Sequence, residues 1–171
     1  MNETDLILEI PGKQNLFPPL SARECTQSLT PLSQGVLRRT IEGTLMCIGG
    51  GGQRKFQSTI RAKDKTSPAF GEMWCGMILK VGCLATLTQS VSKNASFVSL
   101  EREPVVCHAY DAFGKVYPIE KVNGKRVVLS SGFPGGFITY RPWLMMMVKS
   151  YHLETEEWDM SVGWTLELEE V

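Results

Sequence analysis

From Lys55 to Lys63 the chain reads KFQSTIRAK, with Phe56, Ser58, Ile60 and Ala62 alternating with Lys55, Gln57, Thr59, Arg61 and Lys63. A period of two puts each set on its own face of an extended backbone, so the pattern predicts a half-buried β-strand. The period recurs in MILKVGCLATLTQSV, which places Leu79, Val81, Cys83, Ala85 and Leu87 on one face of a single core strand. It returns near the end, where Met160, Val162, Trp164, Leu166 and Leu168 alternate with Ser161, Gly163, Thr165, Glu167 and Glu169. In WLMMMV both faces are apolar, which predicts a strand covered on both sides, by its own domain or by a neighbouring subunit. DLILEI reads as a brief strand ended by Pro11-Gly12, and Asn123-Gly124 between two β-rich runs predicts a tight hairpin.

No segment carries a clear helical repeat; a short helix has room only within Ser21 to Ser33. The fold expected from these patterns is mostly β, a single antiparallel β-sandwich or barrel-like domain of about 8 to 11 strands. KQNLFPPLSARECTQSLTPLSQ is punctuated by prolines and lacks a regular apolar period. It is expected to form an irregular arm that gains order by lying across a neighbour. The chain then divides into residues 1–34, a short strand and this arm, and residues 35–171, the β domain.

CIGGGGQRKF raises the question of a phosphate-cradling loop. A P-loop needs a hydroxyl residue after its lysine, but Lys55 is followed by Phe56. A dinucleotide loop needs a third glycine where Arg54 stands. With a β-rich segment, RRTIEGTLMCI, before the glycines and an alternating strand after them, the simpler expectation is one antiparallel pair joined by a glycine-rich hairpin loop.

Composition narrows the function classes. The chain has 171 residues, enough for one well-buried core, and its 18 basic residues are cancelled by 18 acidic ones. Neutrality gives no electrostatic reason to expect nucleic acid as a partner. The charge is nonetheless uneven: Arg38, Arg39, Arg54, Lys55, Arg61, Lys63 and Lys65 lie in the first half, and Glu154, Glu156, Glu157, Glu167, Glu169 and Glu170 near the end. Such asymmetry matters if copies touch head to tail. No stretch approaches the roughly 18 apolar residues of a membrane span, and the N-terminus lacks a signal-peptide pattern, so the chain is expected to be made in the cytoplasm. The five cysteines, Cys25, Cys47, Cys75, Cys83 and Cys107, lack paired C-x-x-C spacing and read as small packing residues rather than as disulfides or a zinc site.

Catalytic patterns are weak. His108 adjoins Cys107, but neighbours on a strand point to opposite faces and do not make a nucleophile and its base. No G-x-S-x-G elbow is present. Glu154, Glu156, Glu157 and Asp159 fall in one turn and read as a solvated acidic loop rather than a glycosidase pair. We therefore expect no enzyme, no catalytic residue, no cofactor and no metal. Flat aromatics on a β-sheet can stack on sugar rings; Trp164 reads as core, which leaves Trp74, Trp143 and Trp158 as candidate interface or ligand aromatics.

Taken together, LRRTIEGTL, RKFQSTIRAKDKTSPAFGEMWCGMILKVGC and the ending GGFITYRPWLMMMVKSYHLETEEWDMSVGWTLELEEV resemble small β-rich structural proteins from the tail modules of tailed bacteriophages. The likeness rests on an R-x-[IVL]-x-G strand, an SPAFG-x-x-W-x-G turn and a final W-[ST]-L-[DE]-L-E-E strand. It implies a virion component of the tail tip, baseplate or head-to-tail junction that assembles as a multi-copy ring or collar. The implied partners are copies of itself and other phage tail proteins. The alternative is a tail module that binds a receptor or host-surface glycan, or anchors a fibre.

Overall fold

Every strand pair in the computed structural model is antiparallel, and no helix occurs among the residues the structure describes, 4–13, 16–32, 35–49 and 54–171. The described residues form fourteen strands, more than the pattern suggested, because several expected runs are split by turns. In chain order they are β1 (Ile7–Glu9), β2 (Thr26–Pro31), β3 (Gly35–Arg39), β4 (Leu45–Gly49), β5 (Phe56–Asp64), β6 (Ile78–Gly82) and β7 (Leu87–Val91). There follow β8 (Phe97–Ser99), β9 (Pro104–Asp111), β10 (Val116–Tyr117), β11 (Ile119–Asn123), β12 (Arg126–Leu129), β13 (Gly136–Glu156) and β14 (Ser161–Glu170).

β13 organises the molecule. It is 21 residues long, roughly 70 Å when extended. Its first part, Gly136 to Pro142, lies between β7 and β9, with β10 beyond β9. Its later part pairs with β6 on one side and β14 on the other, and the sheet continues as β1-β6-β13-β14-β5-β2. A separate three-stranded sheet, β11-β12-β8, is built on the Asn123 hairpin, where Asn123 pairs with Arg126 and Gly124 supplies the positive φ of the turn.

Two apolar clusters follow from this arrangement. Under the later part of β13, Leu144, Met146 and Val148 pack with Trp164, Leu166 and Leu168 of β14, Ile60 of β5 and Leu79 and Val81 of β6. Beside its first part, Ile138 and Tyr140 pack with Ala109, Val127, Leu129 and Phe133. The alternation of β5 is fully realised, with Phe56, Ser58, Ile60, Ala62 and Asp64 buried and Arg61 and Lys63 exposed. The loop from Lys65 to Met77 contributes Phe70 and Met73, and the Phe70 ring meets Trp164 edge-on with centroids 5.2 Å apart.

Several expectations need correction. The proline-punctuated segment packs into this chain's own core. Leu16 and Ala22 are buried there, Phe17 stacks on Trp164 at 5.8 Å, and Thr26 to Pro31 pairs with β5. The Trp164 indole N–H donates to the Ser21 carbonyl at 2.8 Å. No helix forms in Ser21 to Leu32, and Ser33 lies outside the described residues.

The segments flanking the glycines do not pair with each other. RRTIEGTLMCI turns back on itself, so that β4 pairs with β3, while β5 pairs with β14 and β2. The turn is held by Thr40, whose N–H donates to the Thr44 carbonyl at 2.9 Å and whose hydroxyl accepts from the Thr44 N–H at 3.1 Å; Gly43 has φ +84. Gly50, Gly51 and Gly52 of the expected hairpin loop lie outside the described residues.

The run from Leu79 to Leu87 is broken at Cys83 to Thr86, so its two halves join different parts of β13. Met160, expected on the buried face of the last strand, sits in the preceding turn at φ +48 and is exposed.

Candidate interaction surfaces

The three candidate tryptophans occupy different settings. Trp74 stands in the loop between β5 and β6, 71% exposed, and Trp158 in the turn between β13 and β14, 98% exposed. Trp143 is half-buried on the outer face of β13. Opposite it is Gly82, where a Cβ would come within 3.1 Å of the indole, so the ring lies over a position that only glycine leaves open. Lys80 caps the same ring with its ammonium 4.4 Å from the centroid. Among the described residues, no two of the three rings are in contact. They do not form a common aromatic platform.

The outer face of WLMMMV is only partly covered. Leu144, Met146 and Val148 point into the core, whereas Met145 and Met147 remain exposed next to Ile78 of β6. Only one side of this strand is therefore buried by its own chain.

A second apolar surface was not singled out from the sequence. In the β3–β4 hairpin every residue from Val36 to Gly49 is exposed, and Val36, Leu37, Leu45, Met46 and Ile48 lie between 52% and 65%. Val36 pairs with Ile48 and Leu37 with Cys47, so both faces of the ribbon are apolar near its base, while Arg38 and Arg39 lie toward the turn. Neither apolar cluster includes a residue of β3 or β4. The Leu32 N–H donates to the Lys55 carbonyl at 2.8 Å, so the chain leaves and rejoins the body at one place. An isolated two-stranded ribbon is marginal in water. Glu42-Gly43 is the turn signal that identifies this hairpin in the sequence.

A third surface is the end of the β13–β14 ribbon, where Leu153, Trp158 and Met160 are exposed among Glu154, Glu156, Glu157 and Asp159. Glu156 is bound by Lys63 at 2.8 Å and by the Ser161 hydroxyl at 3.2 Å, and Lys63 holds its carboxyl below the ordinary carboxylate value. His152 contacts Glu154 at 3.2 Å. Alongside, a shallow open groove of about 350 Å³ is lined by Glu24, Arg61, Lys63, His152, Glu154 and Gly163. Its walls mix both charge signs.

Cys107 packs beside the second cluster while His108 is exposed on the opposite face, as expected of strand neighbours. Among the described residues no group of three His, Cys, Asp or Glu is placed to hold a metal ion, and no helix is long and apolar enough to cross a membrane. Burial raises the Cys83 thiol to about 11, which keeps it protonated and unreactive at neutral pH. Comparison with protein-family models, with curated proteins and with solved structures finds no match.

Proposed function

We propose that this protein is a structural component of a bacteriophage tail, belonging to the tail tip, baseplate or head-to-tail junction and working as one of several identical copies in a ring or collar. The observation that carries the reading is the β3–β4 hairpin. Two apolar faces held away from the chain's own core are costly in water and become favourable when another polypeptide covers them. The resemblance of the sequence to tail-module proteins gives that polypeptide its context, and the exposed Met145 and Met147 point the same way. Catalysis, cofactors and nucleic acid have no part in the proposal. Mass spectrometry of purified virions should find this polypeptide among the tail proteins; its absence from the particle rules the reading out.

A second reading, a module that binds a host-surface glycan or anchors a fibre, is favoured by the exposure of Trp74 and Trp158. It requires glycan-array binding that falls when Trp74 or Trp158 becomes alanine. Retention of binding in both variants removes it.

A further inference from the structure

We propose that the β3 edge of one copy adds, as an extra strand, to the free edge of β13 from Ser150 to Glu156 in a second copy. This rests on the reading that copies of the chain associate, and it names the contact.

The acceptor edge is left open by the topology. β6 pairs with β13 only as far as Met147, and the loop before β6 reaches one residue further, with the Gly76 N–H donating to the Val148 carbonyl at 2.9 Å and the Val148 N–H to the Met77 carbonyl at 2.8 Å. Beyond that point β14 covers one side of β13 up to Glu156. Among the described residues, no backbone hydrogen bond reaches Ser150 to Glu156 from the other side. An exposed row of strand N–H and C=O groups is a template for another strand.

The donor is equally open. Among the described residues β3 pairs only with β4, and its other edge, from Val36 to Arg39, faces no strand. The lengths agree, since the four residues from Val36 to Arg39 fit within the edge from Ser150 to Glu156. Charge selects the match. β3 carries Arg38 and Arg39, and the acceptor edge carries Glu154 and Glu156 with Glu157 and Asp159 just beyond. Opposite charges directly across a strand pair are favourable and like charges are not. In parallel register Leu37 would lie beside Leu153, which is 41% exposed, and Arg38 beside Glu154 on the opposite face, with Arg39 next toward the acidic turn. Because donor and acceptor are different surfaces of one chain, the contact is heterologous and propagates from copy to copy, closing into a ring if the rotation allows.

Light scattering after gel filtration of the full chain, over a range of concentrations, tests this. The wild type should associate, and both R38E/R39E and E154R/E156R should weaken association by at least about tenfold. The quadruple variant carrying both reversals should recover it. Because Glu156 also pairs with Lys63, each variant's melting curve is recorded. Independently, hydrogen exchange on the unmodified chain should show slower exchange in Val36 to Arg39 and Ser150 to Glu156 as concentration rises. A wild type that stays monomeric throughout overturns both this contact and the multi-copy reading. Association that neither reversal weakens, with no new protection in the two segments, overturns the contact alone.

Discussion

Asp64 ends β5 with its side chain 2% exposed, and Arg23 grips it through Nε and Nη2, the shortest contact being 2.6 Å. The Arg23 and Lys65 backbone N–H groups add two further bonds. The Arg23 side chain, with this backbone help, lowers the carboxyl from 3.8 to about 2. A folded value below the unfolded one stabilises the native state above the unfolded value and loses that contribution as pH falls through the folded one. Stability should therefore drop between about pH 4 and pH 2. The R23A variant should lose about 1–2 kcal/mol at neutral pH, since the guanidinium is half exposed and water screens it. In urea titrations the difference between the two proteins should narrow across that window; a constant difference from pH 5 to pH 2 contradicts the assignment. A second check at this scale uses the thiols. With a maleimide at neutral pH, Cys75 should be modified in the native monomer and exposed Cys47 likewise, while buried Cys83 should react only after unfolding.

Individual strands carry unequal loads. β14 lies between β13 and β5 and supplies Trp164, Leu166 and Leu168, so removing Met160 to Val171 should abolish cooperative melting. W164A alone should cost about 3–5 kcal/mol, because it removes the largest ring of the cluster and leaves the Ser21 carbonyl without its donor. The β3–β4 hairpin is the opposite case. Joining Leu32 to Lys55 through a short linker should change monomer stability by less than about 1 kcal/mol, or roughly 2–4 °C in Tm. A collapse of the melt would mean that the hairpin belongs to the core.

These contrasts also mark what the sequence could reveal. The period of two located β5 and β14 because each has one wet and one dry face, and Asn123-Gly124 located its hairpin because the turn demands a positive φ. Pairing partners were not legible, since β5 finds β14 about a hundred residues away and nothing local in RKFQSTIRAK encodes that choice. Nor was the burial of Leu16 and Ala22, or the packing of half-buried Phe17, which reach the core from irregular backbone that has no period to read. Of the candidate aromatics, Trp74 and Trp158 are exposed, but Trp143 is occupied by Lys80 and Gly82, a contact set by cross-strand register.

At the scale of the whole molecule, two apolar clusters share one strand. Ile138 and Tyr140 belong to one and Leu144, Met146 and Val148 to the other, all within β13. The join is reinforced by Arg102, which precedes β9 and binds Glu170 at the end of β14 at 2.8 Å, with both side chains largely buried. Loss of either cluster would free part of a strand that the other needs. Calorimetry should therefore show one unfolding transition whose calorimetric and van't Hoff enthalpies agree. Two resolved peaks would show that the clusters melt independently.

The length of β13, which runs on through register shifts at Arg141/Pro142 and Val148/Ser150, also bears on how the molecule takes mechanical load. Tension applied along this strand acts parallel to its ladders with β6, β7, β9 and β14, so many hydrogen bonds resist sliding together rather than opening one by one. Pulled across that direction, the same ladders would unzip in sequence at lower force. Single-molecule pulling along β13 should therefore meet a higher unfolding force than pulling across it.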